Sequence, residues 1–142
     1  MTECTTTQYE SPLWPAIVAL RLEVYVDEQK VPLELELDDD DRAAVHFAAL
    51  DAGEVVGTAR LVFHDDAAKF GRLAVKAALR GKGIARQLIA ITIDHARDRG
   101  VGTMYLDSQT MATGLYAKFG FVEEGGIFLD AGIEHLRMVL RL

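Results

Sequence analysis

A glycine-rich, basic segment near the middle of the chain has the residue types that bind anions. Its sequence is Arg80-Gly81-Lys82-Gly83-Ile84-Ala85-Arg86, and it follows a predicted strand that ends at Val75. Glycines allow a tight turn that exposes backbone N–H groups, and the N-terminus of the next helix adds partial positive charge. The segment therefore predicts a phosphate or pyrophosphate site. The alternative is an exposed loop before a helix that begins at a glycine.

Two common phosphate-binding motifs do not match this segment. A P-loop requires Ser or Thr after Gly-Lys, and Gly83 stands there instead. A dinucleotide fingerprint requires a third glycine, and Arg86 occupies its place. The strands predicted before the segment are antiparallel, which is wrong for a βαβ unit. Phosphate binding is therefore predicted outside both fold classes, and a nucleotide-dependent oxidoreductase is disfavoured.

The elements that position this segment follow from the spacing of apolar residues. Ser11 as N-cap and Pro12 at the first helical position predict a helix to about Tyr25, after a short edge strand within the first ten residues. Gly57 predicts a bulge or a close backbone approach within its strand. The remaining predicted strands cover 43–50, 55–63, 70–75, 104–106, 121–128 and 133–140, and the remaining helices cover 83–99 and 111–119.

The order of these elements is β-α-β-β-β-α-β-α-β-β. It predicts one mixed α/β (α+β) domain over residues 1–142, with a mainly antiparallel sheet of about seven strands flanked by helices. The segment from Asp27 to Arg42 is the ambiguous part. Three leucines alternate there with glutamates, which is typical of a strand, but Pro32 and the crowded carboxylates indicate a loop or a short helical turn. We expect a loop that forms either a solvated acidic face or one side of a binding site.

Composition limits the classes of function. The 142 residues are 50% hydrophobic and 26% charged, which is typical of a globular domain. A net charge of −7 argues against a nucleic-acid partner and fits a cationic one better. Cys4 is the only cysteine, so no intrachain disulfide can form. No apolar run is long enough for a membrane span, and the first basic residue is Arg21, so we expect a cytoplasmic protein with no membrane partner.

Several motifs resemble those of GNAT-type N-acetyltransferases, which bind acyl-coenzyme A. The family signature Q/R-x-x-G-x-G/A is matched by Arg80-x-x-Gly83-x-Ala85. The family's N-x-x-A-x-x-L-Y-x-x-x-G-F segment is similar, apart from its first residue, to Gln109-x-x-Ala112-x-x-Leu115-Tyr116-x-x-Phe119-Gly120-Phe121. Four further segments resemble the ElaA/YjcF-like branch of this family, namely Val26-x-Glu28-Gln29-x-Val31-Pro32, Leu37-Asp38, His46-Phe47 and Gly132-Ile133-x-His135. Glu134 departs from that branch, which usually has proline there. The resemblance spans Leu20 to Met138 and implies the GNAT fold.

The resemblance also implies a site for acetyl-coenzyme A, which would serve as co-substrate. The strands around Val75 and Tyr105 should separate, so that pantetheine lies between them and pairs with the first strand. A backbone N–H near Ala74 or Val75 would face the acyl carbonyl, where an oxyanion is stabilised. The cofactor-binding residues implied are Leu73, Ala74, Val75, Arg80, Gly81, Lys82, Gly83, Ile84, Ala85, Arg86 and Gln109.

Tyr116 is the residue to which the resemblance assigns a catalytic role. The family's tyrosine at this position donates a proton to the departing thiolate. A phenol of pKa near 10 and a thiol near 8.5 make complete transfer unfavourable by about 2 kcal/mol, so we expect a hydrogen bond. The alternative is an aromatic residue that only packs within its helix.

An attacking amine must lose its proton, which requires a base. Glu28 and His135 are the candidate bases, and Glu34 and His46 are candidate acceptor-binding residues. Each has a structural alternative, such as a local ion pair, a solvated carboxylate or a histidine buried in the core. No basic residue adjoins Cys4, so direct transfer within a ternary complex is preferred to an acylated enzyme.

The sequence thus predicts an acetyl-coenzyme A-dependent N-acetyltransferase that acts on a primary amine of a small molecule or side chain. The alternative is a module of the same fold that binds acyl-coenzyme A without turnover. No spacing of His, Cys and carboxylates resembles a metal site, so no metal is predicted. A homodimer is allowed by analogy with the fold, and the acidic segment favours a cationic acceptor.

Overall fold

One seven-stranded sheet organises residues 2–142, which are the residues described by the computed structural model. The sheet order is β1-β2-β3-β4-β5-β7-β6, and only β4 and β5 are parallel neighbours. The predicted mixed, mainly antiparallel sheet is therefore confirmed. The strands are β1 Thr2–Gln8, β2 Val45–Asp51, β3 Glu54–His64, β4 Ala67–Val75, β5 Thr103–Gln109, β6 Val122–Asp130 and β7 Ile133–Arg141.

The first helix begins later and ends differently than predicted. The α-helix α1 covers Trp14–Arg21, and the chain then widens into a π-helix over Leu22–Glu28. Ser11 is not its N-cap, because the Ser11 hydroxyl is hydrogen-bonded to Thr7 at 2.6 Å and residues 12 and 13 form a turn. Pro15, rather than Pro12, occupies the first helical turn. π-Helical turns are rare and occur frequently at functional sites.

The segment predicted as a loop contains two short helices. These are the α-helix α2 over Leu33–Glu36 and a 3₁₀-helix over Asp39–Arg42. Asp38 caps the second one, since its carboxylate accepts a hydrogen bond from the amide of Asp40 at 3.1 Å. The alternation of leucines therefore does not produce a strand.

Helix α3, over Ile84–Asp98, packs on the sheet and positions the glycine-rich turn before it. Gly57 in β3 allows this packing, because a Cβ atom there would lie 2.8 Å from Ile84 Cγ2 and 3.0 Å from Leu88 Cδ1. Of the two alternatives predicted for Gly57, the bulge is confirmed beside it, where the register with β2 shifts between Ala49 and Leu50, while the atoms that approach Gly57 belong to side chains and not to a backbone. Helix α4, over Thr113–Ala117, follows a 3₁₀ turn after β5. None of the helices in the described chain is long and apolar enough to cross a membrane.

Strands β4 and β5 separate along most of their length. They pair only from Ala67 with Thr103 to Lys69 with Tyr105. Past Lys69 each strand keeps its other neighbour, β3 or β7, so a gap opens between them. A bulge bends β4 inside this gap, where Arg72 has a φ of +52°. The separation of β4 and β5 therefore leaves a cleft between the two strands.

Candidate active site

Two adjoining cavities occupy the gap between β4 and β5. The first, here called the turn cavity, has a volume of about 450 Å³ and ends at the glycine-rich turn. The second, the strand cavity, has about 330 Å³ and ends near β7. Three residues line both cavities, namely Gln29, Leu73 and Leu115. The two spaces therefore meet beside the bulge of β4.

The glycine-rich turn presents a row of free backbone donors. Gly81 and Gly83 have φ values of +80° and +87°, a conformation that glycine adopts without strain. The amide of Arg80 donates to the carbonyl of Ala77 at 3.4 Å, whereas the amides of residues 81–86 have no acceptor within residues 2–142. Gly83 supplies no side-chain cap to helix α3. The turn can therefore donate several hydrogen bonds to a pyrophosphate.

The open edge of β4 presents hydrogen-bond donors and few free acceptors. Lys76 N donates to Val56 O at 2.9 Å, which makes Val75 a non-hydrogen-bonded position opposite Gly57. The N–H and C=O groups of Val75 and Leu73 consequently face the gap, while those of Ala74 face β3. Of the two amides predicted to meet the acyl carbonyl, only that of Val75 faces the gap. The second backbone N–H group that faces the gap is that of Leu73.

Both carbonyls on this edge already have side-chain partners. The Tyr25 hydroxyl donates to Leu73 O, and Arg80 Nε donates to Val75 O at 3.0 Å. Burial raises the pKa of Tyr25 to about 12, which keeps this phenol protonated as a donor. Sequence reasoning missed Tyr25, because its role depends on the π-helix that turns it towards β4. What the edge offers a ligand is N–H groups.

Tyr116 and His135 both line the strand cavity. The Tyr116 ring packs against Phe70 and Phe121, and burial raises the pKa of its phenol above the ordinary value. Its hydroxyl has no hydrogen-bond partner in the described part of the chain. His135 Nδ1 lies 2.7 Å from Ile133 O, and because a carbonyl only accepts, Nδ1 carries the hydrogen. Nε2 of the neutral ring is then free to accept a proton.

The family model described as Acetyltransferase (GNAT) domain matches residues 20–142. The chain belongs to the GNAT acetyltransferase family. It is 35% identical over 121 residues to the uncharacterized N-acetyltransferase YjcF of Bacillus subtilis, covering 84% of this chain and 86% of the relative. It is 32% identical over 132 residues to protein ElaA of Escherichia coli, covering 87% and 84%. The resemblance to the ElaA/YjcF-like branch is thus confirmed.

Solved structures support the same assignment. An acyl-CoA N-acyltransferase from Pseudomonas aeruginosa superposes with a TM-score of 0.89 at 28% identity, covering 98% of this GNAT chain and 99% of its own. The crystal structure of Escherichia coli ElaA gives 0.88 at 27% identity, with the same coverage. The fold is therefore that of the GNAT N-acyltransferases, which use acyl-coenzyme A as co-substrate.

The structure brings most of the predicted cofactor residues of this GNAT chain together. Two of them do not line the turn cavity. Lys82 is exposed on the glycine-rich turn, and Gln109 lines the strand cavity. The turn cavity is lined by the other nine, namely Leu73, Ala74, Val75, Arg80, Gly81, Gly83, Ile84, Ala85 and Arg86.

Arg80 is not a free cation in this arrangement. Its guanidinium forms an ion pair with Glu28 at 2.9 Å in addition to its bond to Val75 O. Glu28, a predicted base, lines neither cavity and is held at the turn by this pair. Lys82 and Arg86 form no ion pair within residues 2–142, so they remain available to phosphates.

Neither predicted acceptor-binding residue lies in the strand cavity. Glu34 is exposed on α2 and lines neither cavity. His46 is completely buried, with Nε2 3.0 Å from the carbonyl of Asp41 and its ring against Trp14. Helix α1 covers this face of β2, so His46 cannot reach an acceptor. It is a core histidine.

Only part of the acidic segment is a solvated face, since Glu34, Asp39 and Asp40 are exposed whereas two other carboxylates are buried. Glu36 and Asp41 are 1% and 3% exposed and bind Arg21 at 3.0 and 2.8 Å. Arg60 joins Asp41 at 2.8 Å, and Arg72, in the bulge of β4, joins Glu36 at 3.0 Å. Although burial alone would raise the pKa of Asp41, the neighbouring guanidinium groups of Arg21 and Arg60 lower it. Glu36, Asp38 and Asp41, which are among the carboxylates that favoured a cationic acceptor, are therefore already paired with arginines of the protein.

No metal centre is evident in the described chain. Residues 2–142 contain no group of three or more His, Cys, Asp or Glu side chains that could hold an ion. The polar groups that line the strand cavity include Tyr116, His135 and the side-chain amides, together with Lys69, Asp107, Ser108 and Asp130.

Proposed function

We propose that this GNAT protein transfers an acetyl group from acetyl-coenzyme A to a primary amine. The observation that carries the proposal is the continuity of the two cavities. One cavity ends at the free amides of residues 81–86, and the other contains Tyr116 and His135. A long donor with a charged end and a reactive end fits such a path.

The open edge suits the donor's pantetheine and acyl groups. Pyrophosphate oxygens would accept hydrogen bonds from the turn amides, with Lys82 and Arg86 adding charge. The amides of Leu73 and Val75 would bind carbonyl oxygens of the pantetheine arm and the thioester. The thioester then lies where the cavities meet, and the acceptor amine enters through the strand cavity.

His135 is our proposed base. An alkylamine with a pKa near 10.4 is mostly protonated at neutral pH and cannot attack until a proton is removed. His135 Nε2 faces this task with its other nitrogen already donating to Ile133 O. Glu28 is instead proposed to hold Arg80 against the turn, because its carboxylate is engaged there.

The proposed transfer is direct. His135 Nε2 first takes the proton of the ammonium group and passes it to solvent. The neutral amine nitrogen then bonds to the carbonyl carbon, the carbon–sulfur bond breaks, and the second proton that the nitrogen loses goes through solvent to the departing thiolate. Tyr116 donates a hydrogen bond to the departing sulfur, and its raised pKa favours that bond over complete proton transfer. Cys4 lines neither cavity, and burial raises the pKa of its thiol, so it is a poor candidate for an acylated intermediate.

Thermal unfolding with acetyl-coenzyme A, and with NAD and ATP as controls, tests the donor site. A ligand at about 100 times its dissociation constant should stabilise the protein by about 2.7 kcal/mol. The double charge reversal Lys82→Glu with Arg86→Glu should weaken this effect, whereas Lys118→Glu on the surface should not. The absence of any rise with acetyl-coenzyme A would refute the proposal.

An amine panel, assayed by release of the coenzyme A thiol, then tests turnover. Release that depends on one class of primary amine supports the transferase. Binding of acetyl-coenzyme A without release for any amine would favour the alternative, a module that binds acyl-coenzyme A and does not turn it over.

A further inference from the structure

Gln29 is held in a fixed position at the end of the π-helix. The backbone N–H of Gln29 donates to Val24 O at 3.1 Å, which is the i to i−5 bond typical of a π-helix. The next two residues close the turn, since Lys30 N bonds Val26 O at 3.1 Å and Val31 N bonds Tyr25 O at 2.9 Å. The backbone that carries the Gln29 side chain is therefore well supported.

Gln29 lies at the junction of the two cavities. It is one of three residues that line both, and the other two, Leu73 and Leu115, have apolar side chains. Gln29 is thus the polar side chain at the place where the donor and the acceptor must meet.

The orientation of the Gln29 amide is set by a residue of β5. Gln109 Nε2 donates to Gln29 Oε1 at 2.8 Å, and this bond joins the last residue of β5 to the end of the π-helix. This bond occupies the oxygen of Gln29. The Nε2 group has no hydrogen-bond partner in residues 2–142, so both of its N–H donors remain free.

A ligand group at this junction must accept hydrogen bonds. The carbonyls of Leu73 and Val75 are occupied by Tyr25 and Arg80, and what remains on that edge is N–H. Building on the proposed function, we propose that Gln29 Nε2 donates a hydrogen bond to the thioester carbonyl oxygen of the acyl donor. The side chain complements the backbone amides of β4 and stabilises the negative charge that this oxygen gains when the amine attacks.

Two substitutions remove the N–H group of Gln29 while keeping a side chain of similar size. Gln29→Glu still accepts the bond from Gln109 but has no N–H, and Gln29→Met is neutral and of similar length. Each should lower kcat for transfer to hydroxylamine, used as a probe nucleophile, by about 10²- to 10³-fold, the usual effect of losing one oxyanion donor. The KM for acetyl-coenzyme A should change less than about threefold, because the other contacts of the donor remain. Gln8→Glu, on the exposed edge strand β1, is the matched control.

An infrared measurement tests the bond without turnover. The carbonyl stretch of bound acetyl-coenzyme A labelled with ¹³C at the thioester carbon should lie below its value in water. In Gln29→Met part of that downshift should disappear, while Gln8→Glu should behave as wild type. A merely structural role for Gln29 would not move this frequency.

The outcomes distinguish the two proposals. If acetyl-coenzyme A does not stabilise the wild-type protein, the proposed function fails and the Gln29 proposal falls with it. If wild type binds and turns over, but both Gln29 variants keep kcat within twofold and the same carbonyl frequency, only the role of Gln29 is overturned. Loss of folding in one variant would show as a lowered thermal midpoint, and the other variant then decides.

Discussion

Tyr116→Phe is the substitution that most directly tests the proposed chemistry. The ring contacts with Phe70 and Phe121, at centroid distances of 5.9 and 6.1 Å, are kept by phenylalanine. The hydroxyl has no hydrogen-bond partner within residues 2–142, so its removal leaves no protein group unpaired. We therefore expect the free energy of unfolding to change by less than about 1 kcal/mol.

The expected effect on turnover follows from the one bond that is lost. A hydrogen bond to a charged group contributes about 1.5–3 kcal/mol, which corresponds to a decrease in kcat of about 10- to 150-fold. The dissociation constant of acetyl-coenzyme A should stay within about twofold, because Tyr116 lines the strand cavity and not the turn cavity. Burial raises the pKa of Tyr116, so wild-type kcat should show no loss from phenol ionisation up to about pH 10.

The assay is release of coenzyme A thiol under single- and multiple-turnover conditions, with calorimetry for the donor. Tyr105→Phe is the matched control, because this tyrosine of β5 lies under Arg137 and lines neither cavity. Equal kcat in wild type and Tyr116→Phe would refute the role at the leaving group. An equal decrease in Tyr105→Phe would show a general effect on the fold instead.

Three further predictions concern the support of the site. Gly57→Ala should destabilise the protein by about 1–3 kcal/mol and weaken acetyl-coenzyme A binding, because its Cβ displaces Ile84 at the start of α3. Gly126→Ala is the control, since there is open space around Gly126. Equal thermal midpoints and equal affinities for acetyl-coenzyme A in the two variants would contradict the prediction. Arg21→Met should lower the free energy of unfolding in urea by about 3–5 kcal/mol, since it leaves buried carboxylates underpaired; a loss below about 1 kcal/mol would show that the network is replaceable. Burial lowers the pKa of His46 in the folded state, so protonation of this histidine favours unfolding. The free energy of unfolding should therefore decline as the pH falls below about 6.5, by at most about 1.4 kcal/mol per pH unit for this group. His46→Gln should make that slope shallower, and an unchanged slope in urea titrations at pH 7.5 and 5.5 would exclude His46 as its source.

Local patterns predicted most of the elements in the chain. Alternating apolar residues marked β2, the hairpin turn after it marked β3, and the helical spacing of Ile84, Leu88 and Ile91 marked α3. The two glycines with positive φ in the turn could be expected from the residue type alone. Such features depend on neighbours a few residues apart, so one sequence is enough to recognise them.

The first helix and the acidic segment were predicted less well for the same physical reason. Ser11 has the residue type of an N-cap, but its hydroxyl accepts a hydrogen bond from Thr7, which is held in β1 by its pairing with His46 of β2. The leucines that alternate before Asp38 look like a strand, but Glu36 and Asp41 are buried against Arg21, which ends helix α1. Local propensity is weak, and contacts with distant elements override it.

The sequence by itself determined the order of elements, the glycine-rich turn and the family to which the chain belongs. Only the tertiary structure decided which polar groups are free. Arg21 and Arg60 neutralise Asp41 from 20 and 19 residues away, and Gln109 orients Gln29 from 80 residues away. A side chain's hydrogen-bond partner depends on how remote elements pack, which no local pattern contains. The same packing opens β4 and β5 and makes the junction at Gln29 the place where two substrates can meet.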